Sequence, residues 1–177
     1  MKIIKIIEKA GRMIFCRISL INYSRSQKIF WEMYAEEIHE KWGRISNDYQ
    51  VLSAIIDKYK PASILDVGCG SGRLFRLYQE KGISDVIGID ISEKALKLAK
   101  KDFPNVKTMK MRLEDMDFEH NRFDMAISNR TLQHIPRQNI DTVIKKICFC
   151  CKSVYINELT DSLNTIMRKF LRNLVSS

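Results

Sequence analysis

Ile64-Leu-Asp-Val-Gly-Cys-Gly-Ser-Gly72 is an apolar run that turns into three glycines at alternate positions, Gly68, Gly70 and Gly72. The run reads as a buried strand, and glycines at its exit let a ligand lie against backbone that carries no Cβ. Arg73-Leu-Phe-Arg-Leu-Tyr78 follows as helix-forming sequence whose first N–H groups are free for an anionic or polar ligand. A second strand, Asp85-Val-Ile-Gly-Ile-Asp90, ends in a carboxylate suited to accept both hydroxyls of a ribose from a neighbouring strand tip. Together these describe a nucleotide-type cofactor site. A dinucleotide fingerprint needs Gly or Ala as its last member, but that position falls on Arg73 counted from Gly68 and on Phe75 counted from Gly70. Nicotinamide and flavin dinucleotides are therefore disfavoured, and a Walker loop is excluded because no Gly-Lys-Ser/Thr follows.

Outward from this stretch the chain alternates strand and helix: strand 63–67, helix 72–81, strand 85–90, helix 92–101, strand 106–111, a turn, strand 123–128, helix 137–149 and strand 153–158. Such alternation predicts an α/β fold, a Rossmann-like, doubly wound, mostly parallel sheet with helices on both faces. Ligands of such sheets bind beyond the carboxyl ends of the strands, where the strand order reverses. Asp66 to Gly72, Asp90, the turn at Leu113 and Asn129 all fall at those ends.

Leu65-Asp-Val-Gly-Cys-Gly-Ser-Gly72 with Asp90 resembles the first two motifs of the class I S-adenosylmethionine-dependent methyltransferases. Leu113-Glu-Asp-Met-Asp-Phe118 leading into Asn121-Arg-Phe-Asp-Met-Ala-Ile-Ser128 is similar to the family's acidic third motif and fourth strand, and Asn129-Arg-Thr-Leu-Gln-His-Ile-Pro136 to the loop beyond it. The likeness covers residues 28 to 160. It implies S-adenosylmethionine as cofactor, with Gly68, Cys69, Gly70 and Gly72 around the methionine moiety, Asp66 helping to hold its ammonium group, and Asp90 and Ile91 at the ribose. It further implies Leu113 with Glu114 or Asp115 at the adenine edge and Asn129, mainly through backbone, near the sulfonium. Trp42-Gly-Arg-Ile-Ser-Asn47 resembles the segment before the core in small-molecule O-methyltransferases of the ubiquinone-biosynthesis type, which makes Arg44 the candidate for the cofactor's carboxylate. His134 is the one candidate general base, its usual pKa lying near neutrality, although a Leu-x-His-Ile-Pro setting favours a role in fixing the loop.

Length and composition agree with one domain. The chain has 177 residues, 45% of them hydrophobic, enough for a sizeable core. Cys16, Cys69, Cys148, Cys150 and Cys151 are odd in number and follow no secretory signal, which fits a reducing cytoplasm. The Cys-x-Cys-Cys cluster has no second pair at zinc spacing and reads as packing residues entering a strand, so no metal is expected.

The net charge of +9 sits on the two ends: residues 1–30 carry +6 and residues 145–177 carry +4, while residues 31–44 give −2 and residues 45–144 only +1. A nucleic-acid enzyme more often spreads its basic residues around the cleft. Residues 1–25 read as a basic amphipathic helix, with Ile3, Ile7, Ile14, Ile18 and Ile21 near one face and Lys2, Lys5, Lys9 and Arg12 on another. Its apolar runs fall far short of the roughly 20 residues that span a bilayer, so residues 1–21 suit an anionic membrane surface or packing on the domain or a partner. By the same resemblance, residues 26–177 are expected to be the methyltransferase domain, with its core over 60–160. Its first part reads as two helices bearing Trp31, Tyr34, Ile38 and Trp42, a stripe expected to be a lid over the cofactor.

Family members normally continue past the fifth strand to a helix and an antiparallel pair; by this resemblance the C-terminal strands are expected to be missing here, which would leave the fifth strand as an edge open to a dimer or partner. The loop Ser-Asn-Arg-Thr lacks the Asn/Asp-Pro-Pro-aromatic signature of planar-amine methylation, which disfavours amino methylation of nucleic-acid bases. The expected function is methyl transfer to oxygen or carbon of a small molecule, or of a glycan or lipid-linked intermediate. Two alternatives stand beside it: a truncated, non-catalytic cofactor-binding domain that needs a partner, and an RNA methyltransferase, marked by strongly salt-dependent RNA affinity.

Overall fold

The computed structural model describes residues 23–42 and 48–157. The basic segment before residue 23, Arg44 and the tail from residue 158 onward lie outside the described residues, and with them the expected amphipathic helix and the candidate carboxylate contact. Two helices, α1 (Tyr23–Trp42) and α2 (Asp48–Tyr59), precede an alternating series: β1 (Ser63–Val67), α3 (Phe75–Glu80), β2 (Asp85–Asp90), α4 (Glu93–Asp102), β3 (Lys107–Lys110), β4 (Phe123–Asn129), α5 (Arg137–Cys150) and β5 (Cys151–Asn157). The five strands are parallel and lie in the order β3-β2-β1-β4-β5. This is the doubly wound arrangement read from the sequence, and its order reverses between β1 and β4.

Burial explains the strand sequences. Every residue of β1 is buried, as a central parallel strand covered on both faces requires. Alternation then divides it: Ile64 joins a core layer with Leu52, Ile56, Phe75 and Leu77, whereas Leu65 and Val67 join the opposite layer with Ile140, Val143 and Ile144 of α5. Asp66 is thus a carboxyl group held in the interior of the sheet.

Both ends of the sheet are fastened by side chains. At the amino end of β1, Asp124 accepts from the N–H of Ala62 (2.9 Å) and of Ser63 (3.1 Å), while Ser63 Oγ accepts from Asp124 N–H (2.9 Å). At the other end α4 starts at Ser92, whose Oγ accepts from Ala95 N–H at 3.2 Å as an N-cap. Glu32 of α1 adds a second cap from a distant part of the chain, accepting from Glu93 N–H at 2.7 Å and Lys94 N–H at 3.0 Å. A carboxylate there also meets the positive end of the α4 dipole. One glutamate thereby ties the first helix to the rim of the sheet.

Two boundaries differ from the sequence reading by two residues or more, the others by one at most. The helix expected over 72–81 begins only at Phe75, because Gly72 turns at φ +81° and Phe75 N–H is taken by Gly72 C=O at 3.0 Å. The Phe75 N–H at its start is thus bonded within the turn and is not one of the free N–H groups that the sequence suggested. The last strand begins at Cys151 directly from α5, so Cys148 and Cys150 are helical and only Cys151 enters the strand. Gly88, inside β2, supplies room: a Cβ there would lie 2.5 Å from Phe75 Cζ and 2.8 Å from Cys69 Sγ. Among the described residues no helix is long and apolar enough to cross a membrane.

Candidate functional site

The carboxyl ends of β1, β2 and β4 open into a cavity of about 480 Å³, roofed by Phe30, Trp31, Ala35 and Ile38 of α1. Of the expected stripe, Trp31 and Ile38 are on the wall of the cavity, Tyr34 packs on Phe30 (ring centroids 4.9 Å) and does not line it, and the Trp42 side chain lies outside the described residues.

The floor is the turn after β1. Gly68 (φ +73°), Gly70 (φ +55°) and Gly72 (φ +81°) all adopt left-handed backbone. Gly68 and Cys69 donate their N–H groups to Ile89 C=O at 2.8 and 3.0 Å, which pins the turn to β2. A Cβ on Gly68 would stand 2.3 Å from Thr131 of the loop after β4, whereas one on Gly70 would meet nothing within 4 Å. Gly68 is needed for packing and Gly70 for open access. Gly72 serves a third purpose, since its Cβ would strike Phe75 at 2.6 Å, and it does not line the cavity.

Asp90 holds the two sides of this floor together. Its Oδ2 accepts from Gly70 N–H at 2.9 Å and its Oδ1 from Ser92 N–H at 2.8 Å. Burial raises its carboxyl pKa, against the backbone N–H groups, which favour the ionised form. The acceptor capacity left on this carboxylate suits a ligand hydroxyl. Asp66 lies deeper and is 2% exposed. Burial lifts its carboxyl to about 7, although the Tyr78 hydroxyl donates to it at 3.1 Å. Cys69 is buried and its thiol is pushed well above its usual range, so it stays a thiol. Ile91 also reaches the cavity.

On the β3 side, Met111 N–H donates to Asp90 C=O at 2.9 Å and a single 3-10 turn, Leu113–Asp115, follows. Leu113 and Glu114 line the cavity, whereas Asp115 lies off it beside Arg112 at 3.8 Å. On the β4 side, Asn129 is 8% exposed, and its Oδ1 accepts from Asn157 Nδ2 at 3.1 Å. That bond fixes the amide so that Nδ2, buried and without a hydrogen-bond partner, is left as a donor on the cavity wall. Buried donors of this kind are rare and call for a ligand or water. Arg130 follows in left-handed backbone at φ +60°.

His134 also lines the cavity, edge-on to Trp31 with ring centroids 4.9 Å apart. Gln133 Nε2 approaches its Nε2 at 3.2 Å, and since an amide nitrogen only donates, the ring accepts there. Burial pulls its pKa down to about 4. The sequence places its titration near neutrality; the structure holds it neutral and hydrogen-bonded, closing α1 against the β4 loop.

The glycine turn and the acidic strand tip that grips it, at the switch point of a 3-2-1-4-5 sheet, fall within the stretch that the comparison with known proteins matches. Residues 64–153 match the family model described as a methyltransferase domain. This chain belongs to the class I S-adenosylmethionine-dependent methyltransferases. The methyltransferase is 33% identical over 86 residues to a ubiquinone/menaquinone biosynthesis C-methyltransferase of Campylobacter jejuni, covering 45% of this chain and 37% of that protein. It is 32% identical over 88 residues to a ribosomal protein L11 methyltransferase of Ruminiclostridium cellulolyticum, covering 45% of this chain and 28% of that one. In structure it superposes on a TehB-like methyltransferase of Corynebacterium glutamicum with a TM-score of 0.63 and 19% identity, over 80% of this chain and 83% of that one, a likeness of fold. The chain spans less than half the length of the curated relatives it matches.

The residues on the wall of the methyltransferase cavity fit the family's cofactor. Gly70 leaves backbone open to a ligand, Asp90 is a carboxylate at a strand tip suited to a hydroxyl, and Asp66 is a buried acid suited to an ammonium group. Two features had no local signal in sequence. The capping Glu32 lies in another helix, and Lys146 of α5 reaches back to the 3-10 turn, donating to Glu114 C=O at 2.7 Å and Met116 C=O at 2.8 Å.

Proposed function

We propose that the protein binds S-adenosylmethionine across the β1–β2 rim and transfers its methyl group to oxygen or carbon of a small molecule. The observation that carries this reading is Asp90: one carboxylate grips Gly70 and Ser92 on either side of an open, left-handed glycine turn, beside a cavity of about 480 Å³. In that arrangement Asp90 accepts the ribose hydroxyls, Asp66 faces the ammonium group, and Leu113 with Glu114 meets the base. The bound sulfonium supplies an already activated methyl group for in-line displacement. The protein's own contribution is then mostly positioning and exclusion of water.

The acceptor side is walled by Trp31, Phe30 and Ile38, with the neutral His134 and the Asn129 amide as polar groups. Aromatic and apolar walls with a few hydrogen-bonding groups suit a small, largely apolar acceptor. His134 is a weak base in this setting. The acceptor therefore brings its own acidity, as an enol, phenol or activated carbon acid does.

The test is to supply methyl-labelled S-adenosylmethionine and the purified protein to a cell extract and to separate small molecules, protein and RNA. Label in the low-mass, solvent-extractable fraction supports the proposal. Label in protein or RNA would replace the small-molecule reading by a macromolecular one, and no transfer to any fraction would favour a non-catalytic binding domain.

A further inference from the structure

Basic and apolar residues gather at the amino-terminal end of the chain. Residues 1–30 carry +6, whereas residues 45–144 carry only +1. The segment ahead of residue 23 lies outside the described residues; in sequence it sets Ile3, Ile7, Ile14, Ile18 and Ile21 near one helical face and Lys2, Lys5, Lys9 and Arg12 on another. It leads directly into α1, and α1 is two-sided. Phe30, Trp31, Ala35 and Ile38 line the cavity from its inner side. Ile29 and Met33, four residues apart and so on one face, lie off the cavity and are 43% and 64% exposed. Lys28 beside them is exposed as well. A large apolar side chain exposed singly is ordinary, but an apolar pair that continues a basic, isoleucine-rich segment suits a surface that is both apolar and negatively charged. Further along, the outside of α1 turns acidic, with Glu36, Glu37 and Glu40 all exposed. That change of sign confines the surface to the first half of the helix, since an anionic partner repels carboxylates.

We infer that the basic amino-terminal segment and the outer face of the first half of α1, through Ile29 and Met33, dock on an anionic lipid surface. Lipid fits this surface better than nucleic acid does. A phosphate backbone pairs with the lysines and arginines but leaves the isoleucines in water, whereas a bilayer interface buries the apolar side chains among its acyl chains and meets the basic ones at its head groups. The contact is with the surface only, for among the described residues no helix is long and apolar enough to cross a membrane. Docking in this way sets the roof of the cavity beside the lipid, because Phe30 and Trp31 follow Ile29 within one turn of helix. An apolar acceptor dissolved in the bilayer then has a short route to the cavity. That last step rests on the proposed acceptor class; the docking itself does not.

The test is sedimentation of the full chain with vesicles of phosphatidylcholine alone and of phosphatidylcholine with a third of phosphatidylglycerol, at low and at high salt. Binding to the anionic vesicles is expected to be at least about tenfold tighter than to the neutral ones and to weaken with salt. Lys5→Ser combined with Lys9→Ser is expected to weaken it about tenfold or more, each basic residue near the surface contributing roughly a factor of five. Ile29→Gln combined with Met33→Gln, at exposed positions off the cavity, is expected to weaken it by about tenfold while Tm stays near that of the wild type. The lysine pair carries the test should the α1 pair fail to fold. A folded chain that stays in the supernatant with anionic vesicles overturns the inference, and so does binding that either folded pair of substitutions leaves unchanged. Salt-sensitive binding to single-stranded RNA with none to vesicles would overturn it in favour of a nucleic acid. The vesicle assay contains no S-adenosyl compound, so its outcome is separate from that of the cofactor reading.

Discussion

Substituting alanine at Gly68 and at Gly70 separates folding from ligand access within a single turn. Both glycines are left-handed, at φ +73° and +55°, so an alanine at either costs about 1–2 kcal/mol of backbone energy. Reduced freedom of the unfolded chain returns about 0.4–1 kcal/mol of this. Beyond the backbone the two sites diverge. At Gly70 the new Cβ meets nothing within 4 Å, so Gly70→Ala is expected to lose about 1 kcal/mol, or roughly 2–4 °C in Tm for a domain of this size. At Gly68 the Cβ would stand 2.3 Å from Thr131, whose own loop is held against the turn. Overpacking adds about 1–3 kcal/mol, so Gly68→Ala is expected to lower Tm by about 10 °C. Binding of S-adenosylhomocysteine reverses the order of severity relative to stability: Gly70→Ala, nearly native in fold, weakens it about tenfold or more, because its methyl enters the space the ligand needs. Thermal unfolding with calorimetry on the same samples reads both quantities. Equal Tm losses, or a Gly70→Ala protein that binds as the wild type does, would refute the reasoning.

Four further outcomes follow from single groups. Asp66 has its carboxyl raised by burial to about 7, so its ionisation disfavours the folded state as pH rises from about 4 to about 7. An ammonium group nearby favours the ionised form, hence S-adenosylhomocysteine binding near pH 6 is expected to release protons, seen as a dependence of binding enthalpy on buffer; Asp66→Asn showing the same dependence would contradict this. His134, lowered to about 4, is expected to stay unprotonated from pH 8 down to about 5 in an NMR titration, and stability to fall as pH drops from about 6.5 toward 4, where the unfolded chain takes up the proton first; a titration midpoint near 6.5 would show an open ring. Glu32→Ala removes the second cap of α4 and is expected to cost about 1–2 kcal/mol in urea unfolding, with Glu32→Gln losing less; an unchanged midpoint would mean that α1 does not brace the rim. Asp124, whose carboxyl is lowered by Lys152 and the N–H groups at the start of β1, adds stability that is present above about pH 4 and lost below it, so Asp124→Ala is expected to flatten the acid limb of the stability curve.

Much of this molecule was readable because its determinants are local. A mostly apolar strand, a glycine at each left-handed position of the turn after it and an acid closing the next strand are short-range requirements, and Ile64 to Gly72 with Asp90 state them in order. Family likeness led to Leu113 and Asn129, and both lie on the cavity wall. What could not be read depends on contacts across the fold. Glu114 and Asp115 are neighbours of one charge, and only the folded chain shows Glu114, bonded by Asn139 and Lys146 of α5, on the cavity wall and Asp115 off it. Glu32 becomes a cap only once α1 lies on α4. The late start of α3 follows from Gly72 and the ring of Phe75 behind it, a packing constraint that helix propensity does not contain. The pKa of His134 was misplaced for the same reason, since its burial against Trp31 is tertiary.

The most direct measurement is calorimetric titration of the purified protein with S-adenosylhomocysteine, alongside Asp90→Ala checked for a native circular dichroism spectrum. Binding in the micromolar range is expected of the wild type and a loss of at least about tenfold of the variant, since the acceptor for the Gly70 and Ser92 N–H groups, and with it the proposed hydroxyl contact, is lost with one carboxylate. A folded wild-type protein that gives no heat at any accessible concentration, or an Asp90→Ala protein that binds equally well, would contradict it.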